Sequence, residues 1–424
     1  MNVRHYSQAF AVLVTLMLAA SHAFGTTTHK RKRTSASSTT KSASSTTKKT
    51  APVKTTSVTV SATRRRVTKS GTTTKAATTT HGVIHSRVRY KRRLYSPWTE
   101  PTFADSISGD DTAGEDSVIR KAAVDALGPY NGTVVVADPQ TGRLLSVVNQ
   151  KLALTGAFQP CSTIKVVVSL ASLSEGLVEA DTPLRISRRY SMNMTQALAR
   201  SNNTYFAKLG EQLGFERVSH YAQLFGLGEK AGLDIADEEA GTLASEVPPD
   251  GIGMMTSFGS GIRLTPLELA SIVTSVANGG TMYYLQYPRT EEQIQNFQPK
   301  VKRYLDIENL LPAVRPGMMG AVEFGTARRA VFDAEDPMFG KTGTCTDTVR
   351  PGVHLGWFGS FNEVGNKKLV VVVLLTGGRG VSGPVASGVA GQVYRNLAHV
   401  NYFGVKEDPS ITPFSLLSMH SCCQ

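Results

Sequence analysis

The chain has 424 residues and a formal net charge of +13, but the charge is not shared evenly. Residues 1–99 hold 19 Lys and Arg and no Asp or Glu, which leaves 27 Lys and Arg against all 33 Asp and Glu in the remaining 325 residues. A uniformly basic nucleic-acid-binding fold is excluded, because the part able to bury a core is mildly acidic. A hydrophobic fraction of 41% likewise argues against a polytopic membrane protein.

Residues 1–25 have the pattern of a secretion signal or membrane anchor. Arg4 and His5 precede an apolar stretch from Ala9 to Ala20, and small residues follow at Ser21, Ala23 and Gly25. The stretch is shorter than the roughly 20 residues needed to span a bilayer. Residues 26–100 form a Thr/Ser/Lys-rich linker with very few large aliphatic side chains. Such a segment lacks the apolar surface to offset its ordering entropy, so disorder is expected. Its basic clusters, Lys30–Arg33, Arg64–Arg66 and Lys91–Arg93, suit anionic lipid or wall polymer. Export and the lack of interleaved aromatics argue against nucleic acid as a partner.

The remainder, residues 101–400 with a tail over 401–424, has the length of one or two globular domains. Ser117–Leu127 has helical spacing. Thr133–Ala137 and Leu144–Val148 read as a hairpin around the turn Asp138-Pro139-Gln140-Thr141-Gly142. Ser162–Leu173 and Met194–Leu213 read as helices. Thr265-Pro266-Leu267-Glu268 opens another with a capping box, and that helix runs to Asn278. Met338–Thr344, His354–Phe361 and Leu369–Thr376 read as strands, and Pro384–Leu397 as a closing helix. Strands at both ends with helices between predict an α+β fold, with the first hairpin and the last strands in one antiparallel sheet flanked by helices.

Three short motifs carry chemistry. In Ser162-Thr163-Ile164-Lys165, positions i and i+3 share a helix face, so the amine reaches back to the hydroxyl. A serine needs an adjacent base to act as nucleophile, and a lysine serves once burial and a neighbouring cation lower its pKa. The helix N-terminus there favours developing negative charge. In Ser201-Asn202-Asn203, Ser201 offers a hydroxyl that passes a proton and Asn203 an amide that grips a peptide bond; a polar break between two short helices explains the same residues equally well. In Lys341-Thr342-Gly343-Thr344, a cation beside two hydroxyls suits a carboxylate. Gly343 permits close approach of a ligand to the backbone, and the N–H of Thr344 could join that of Ser162 in an oxyanion hole. Each motif alone is common: a capped helix, a polar break and an ordinary turn account for them singly.

Together and in this order the set resembles the transpeptidase domain of penicillin-binding proteins, which are related to serine β-lactamases. Gly132–Val148, Phe225–Gly241, Gly259–Gly280, Gly325-Thr326-Ala327 and Trp357–Phe361 extend the resemblance over roughly residues 118–400. It implies an antiparallel sheet flanked by helices, with an all-helical subdomain, and no metal or cofactor. It also implies an acyl-serine enzyme acting on peptidoglycan stem peptides that end in D-Ala-D-Ala, trapped covalently by β-lactam antibiotics. Ser162 would attack, Lys165 take its proton, and Ser201, helped by Lys341, pass a proton to the departing amine. Asn203 would bind the acyl-side amide, and Lys341, Thr342 and Thr344 the terminal carboxylate. Other cell-wall synthesis proteins are further partners to expect. The expected location is the periplasm or the outer face of the cytoplasmic membrane.

The chain departs from the family in two places: a low-complexity arm stands where a folded pedestal is usual, and 39 residues from Ser162 to Ser201 suggest a trimmed helical region. Two other functions compete. A β-lactamase needs a carboxylate that activates water, and Glu238 and Glu239 lie near where such a loop carboxylate would fall; Gly228–Gly241 nonetheless reads better as the penicillin-binding-protein segment. A non-catalytic β-lactam sensor or wall scaffold would not need the intact catalytic set. Cys161 and Cys345 flank the first and third motifs. The resemblance extends to related β-lactamases with cysteines at these places, and so implies a disulfide; two buried thiols are the alternative. Cys422 and Cys423 have no assigned role.

Overall fold

The computed structural model describes residues 98–363 and 367–404. The signal or anchor (1–25), nearly all of the basic linker, and Cys422 and Cys423 lie outside them.

In chain order the elements are α1 (Ser117–Leu127), β1 (Gly132–Ala137), β2 (Leu144–Val148), α2 (Gln150–Thr155), a 3-10 turn (Cys161–Ile164), α3 (Lys165–Ser174), β3 (Leu184–Ser187) and β4 (Tyr190–Met192). Next come α4 (Met194–Ala199), α5 (Asn203–Leu224), α6 (Ile252–Phe258), α7 (Pro266–Asn278), β5 (Thr281–Tyr283), α8 (Glu291–Gln295) and β6 (Val301–Tyr304). The chain closes with α9 (Leu311–Glu323), β7 (Met338–Thr346), β8 (His354–Asn362), β9 (Val370–Gly377) and α10 (Gly383–His399).

One antiparallel five-stranded sheet, ordered β2-β1-β9-β8-β7, joins the first hairpin to the last three strands. β9 is buried at every position, and this explains its unbroken run of Val and Leu: both of its faces are covered. Val371, Val373 and Leu375 face a core shared with Ile119, Ala123 and Leu127 of α1 and Val389, Val393 and Leu397 of α10. Val370, Val372 and Leu374 face the opposite core, with Leu267, Ile272 and Val276 of α7 and the apolar side chains of α3 and α5. The terminal helices thus cover one face, and the helical segment between β2 and β7 covers the other. β7 lies at the sheet edge, so part of its backbone is left to face a cleft and not another strand.

The expected helix over Met194–Leu213 is two helices. Asn193 caps α4 by accepting from Gln196 N, and Asn202 caps α5 by accepting from Tyr205 N. Between them Ser201 takes φ 54°, outside helical geometry. Two side-chain caps nine residues apart outcompete a continuous helix here, and the polar break explains these residues. The helix expected to start at Ser162 opens as a tighter 3-10 turn and becomes α-helical only at Lys165.

The capping box of α7 forms as its sequence predicts, with the Thr265 hydroxyl accepting from Glu268 N and the Glu268 carboxylate accepting from Thr265 N. Glu268 does more. Its Oε1 also accepts from Gly228 N and Gly241 N, both at 2.9 Å, and so anchors the long loop before α6 to the helix start. Glu268 is 1% exposed, so water cannot take its place easily. Glu268→Ala strands three backbone donors and is expected to lower stability by about 3 kcal/mol in urea unfolding; a loss within 0.5 kcal/mol, roughly the scatter of ordinary surface substitutions, would refute the anchor.

Candidate active site

The three motifs come from separate elements: the 3-10 turn with α3, the break before α5, and the edge strand β7. The turn is fixed from several sides. Trp357 Nε1 donates to Gln159 O at 2.9 Å, and Gln159 Nε2 donates to Phe258 O at 3.0 Å. Thr163 Oγ1 donates to Pro160 O at 2.7 Å. Cys161 is fully buried with φ 50°, and a disulfide joins it to Cys345 across a Cα–Cα distance of 5.7 Å. A Cβ placed on Gly343 would lie 2.9 Å from Pro160 O and 3.1 Å from the Trp357 Cβ, so only glycine lets β7 pass this close to the turn.

Around Lys165 the geometry is dense. Its Nζ lies 2.9 Å from Ser162 Oγ, 2.9 Å from Ser201 O, 3.0 Å from Ser201 Oγ and 2.5 Å from Asn203 Oδ1. The faces of Phe206 and Phe258 lie 5.5 and 6.0 Å from the same nitrogen. Lys165 is 0% exposed. Burial, followed by the charge of Lys341, draws its pKa down to about 6. A neutral amine has two protons and one lone pair. Ser201 O and Asn203 Oδ1 only accept, so they take the two N–H bonds. The lone pair is then left for a hydroxyl, and Ser162 supplies one. With its Oδ1 engaged, the exposed Asn203 keeps its NH2 for an incoming carbonyl.

Lys341 is also buried, and burial draws its pKa down to about 7. Its Nζ donates to Thr342 O at 3.0 Å, on its own strand, whereas Ser201 hydrogen-bonds to Lys165. The two hydroxyls of the third motif share a face of β7, by the alternation of side chains along a strand. Thr342 is buried and pairs with Thr326 Oγ1 at 2.6 Å, and Thr344 is exposed. Lys341, Gly343 and Cys345 alternate onto the face toward the turn that carries Ser162.

Sequence reasoning gave no role to Thr326, although Gly325-Thr326-Ala327 stood out as a segment. It also passed over Phe206 and Phe258, whose only signal is aromatic character near a motif. Glu238 is not a free carboxylate: it is buried and accepts from Ala231 N at 2.8 Å and Gly232 N at 3.0 Å.

Among curated relatives, the chain is similar to stage V sporulation protein D of Bacillus subtilis (29% identical, covering 59% of this chain and 44% of that one). It is also similar to the peptidoglycan D,D-transpeptidase MrdA of Haemophilus influenzae (23%, covering 64% and 54%). The chain thus spans about half the length of these relatives. Among solved structures, the transpeptidase domain of Burkholderia pseudomallei penicillin-binding protein 3 matches with a TM-score of 0.58 at 23% identity, covering 68% of this chain and 96% of that one. Pseudomonas aeruginosa PBP2 matches with a TM-score of 0.57 at 23% identity, covering 71% and 80%. These likenesses show the fold. The family model of the penicillin binding protein transpeptidase domain matches residues 132–399, well over half of the sequence, and the chain belongs to that family.

Proposed function

We propose that this protein is a peptidoglycan D,D-transpeptidase that works through an acyl-serine intermediate on stem peptides ending in D-Ala-D-Ala. The observation that carries the reading is the buried Lys165 amine, 2.9 Å from Ser162 Oγ with its pKa drawn down to about 6. At neutral pH such an amine is a base placed against its nucleophile.

In this reading Ser162 Oγ attacks the carbonyl carbon of the penultimate D-Ala, and its proton moves to Lys165 Nζ. The oxyanion faces backbone N–H groups at Ser162 and Thr344. Collapse breaks the C–N bond, and the terminal D-Ala amine leaves with a proton passed through Ser201. A second amine, or water in a carboxypeptidase side reaction, then attacks the ester. It gives up a proton along the same path and frees Ser162. Asn203 holds the acyl-side amide, while Lys341, Thr342 and Thr344 hold the terminal carboxylate. β-Lactams acylate the same oxygen. Of the two carboxylates weighed for a β-lactamase, Glu238 is engaged by two backbone donors and so is not offered to water, while Glu239 is exposed.

An exported location fits both the substrate and the Cys161–Cys345 bridge, because disulfides persist in oxidising compartments. The basic residues before position 100 suit a tether to anionic lipid or wall polymer.

Incubated with a fluorescent penicillin, the full chain is expected to form a stable adduct on Ser162, and Ser162→Ala to form none. Rapid release with turnover would mean a β-lactamase, and no adduct on wild type would remove both enzymatic readings. A D-Ala-D-Ala peptide offered with and without an amine acceptor separates transfer from hydrolysis.

Two pH dependences follow from Lys165. The acylation rate is expected to rise with pH and to be half-maximal near pH 6, with Lys165→Met slower by roughly 10²–10⁴-fold. A limb centred above pH 9 would contradict a lowered lysine pKa. Stability should respond as well. Between pH 6 and 10 the unfolded chain holds a proton on Lys165 that the folded protein lacks, so folded stability rises with pH across that window. Lys165→Met lacks this contribution. Urea unfolding is therefore expected to show wild type gaining on the variant from pH 6 to pH 10; a constant difference would refute the shift.

A further inference from the structure

We infer that Gly383, the first residue of α10, is a positioning residue for the carboxylate end of the substrate, acting through the hydroxyl of Thr344. The inference rests on the function proposed above and extends it to a residue outside the three motifs.

Three observations carry it. The Gly383 N–H donates to Thr344 Oγ1 at 2.7 Å, linking α10 to the edge strand across 39 residues of sequence. Ser382 stands at the cap position of α10 but makes no side-chain cap hydrogen bond, and Pro384 follows with no N–H of its own. A helix start leaves backbone donors in need of acceptors, and here a strand threonine serves where a cap side chain usually would. The approach is also as close as it can be. A Cβ on Gly383 would lie 2.7 Å from Gly343 O, 2.8 Å from Thr342 Cβ and 3.0 Å from Thr344 Oγ1. A Cβ on Gly356 of β8 would lie 2.5 Å from Ser382 O. Glycines on both sides seat the helix start against β7 and β8.

The chemical consequence follows from the inventory of a hydroxyl: one proton and two acceptor positions. The Gly383 N–H fills an acceptor position on Thr344, so the Thr344 proton is not turned toward the helix. Thr344 is exposed, and its proton is free to be given to an anion in the cleft. Thr342, on the same face, is braced separately by Thr326 at 2.6 Å. The two hydroxyls take hydrogen bonds from different elements, and only the one to Thr344 comes from α10, which also packs on Thr342 through Gly383. The positive end of the helix adds to the preference for a carboxylate over a neutral group.

The test compares two substrates on the full chain: a D-Ala-D-Ala peptide with a free terminal carboxylate, and the same peptide with that carboxylate amidated. Gly383→Ala is expected to raise KM for the free acid about tenfold, the scale of one hydrogen bond to a charged group, with kcat within twofold. Acylation by the amidated peptide, whose neutral carbonyl accepts a weaker bond from the same hydroxyl, is expected to fall several-fold less than that of the free acid. Thr344→Val is expected to lose more with the free acid than with the amidated peptide, and the double variant to lose less than the product of the two single losses. If Gly383→Ala slows both substrates alike, or if the two substitutions multiply, the inference is overturned while the enzyme reading stands. A wild type that forms no acyl-enzyme with penicillin or peptide overturns both. Should Gly383→Ala fail to fold, the Gly383 amide proton resonance serves instead: it is expected to move upfield in Thr344→Val, and an unchanged resonance overturns the inference.

Discussion

Keeping one lysine amine out of water constrains this structure more than any other single requirement. A charged ammonium in the position of Lys165 would be costly, and the protein accommodates it by lowering the pKa to about 6 and surrounding the nitrogen with four oxygens. Those oxygens come from two segments that must meet with little tolerance. The break between α4 and α5 is part of that arrangement. Were the chain helical through Ser201, its carbonyl would be committed to an intrahelical bond; with φ 54° it accepts from Lys165 instead. The aromatic wall of Phe206 and Phe258 excludes water from the same space.

β7 divides its labour between its faces. Toward the turn that carries Ser162 it presents Lys341, Gly343 and Cys345: a second buried amine, a gap that admits the turn, and a covalent link. On the other face it presents two hydroxyls backed by Thr326 and Gly383. Period-two alternation is what lets a run of four residues serve two neighbours at once. The edge position of β7 in the sheet makes the arrangement accessible. An interior strand with the same sequence would have no room for a ligand beside it.

Much of this was legible in the sequence where the determinants are local. The hairpin over Gly132–Val148, the capping box at Thr265 and Glu268, and the buried run of β9 each depend on residues within a few positions of one another. The reach from Lys165 to Ser162 is equally local, since it needs only helical spacing. What was not legible is the pairing of distant side chains. Thr326 with Thr342, Gly383 with Thr344, and Glu268 with Gly228 and Gly241 are set by tertiary packing, and no periodicity announces them. The Met194–Leu213 helix was misread for a related reason. Its apolar spacing carries across the break, and only the two asparagine caps, Asn193 and Asn202, mark where each helix starts. The Cys161–Cys345 pairing came from resemblance and not from spacing, because 184 residues separate the two sulfurs.

That separation has a consequence for how the folded protein comes into being. A bond between positions 161 and 345 can close only once most of the domain between them has folded. Until then the turn carrying Ser162 lacks its covalent tie to β7, and Cys161 is held in its left-handed conformation by hydrogen bonds and packing around it. The final aiming of Ser162 is thus a late event in folding, set by the arrival of the last fifth of the chain. A chain truncated before β7 would contain the serine and its lysine yet lack the strand that fixes where they point.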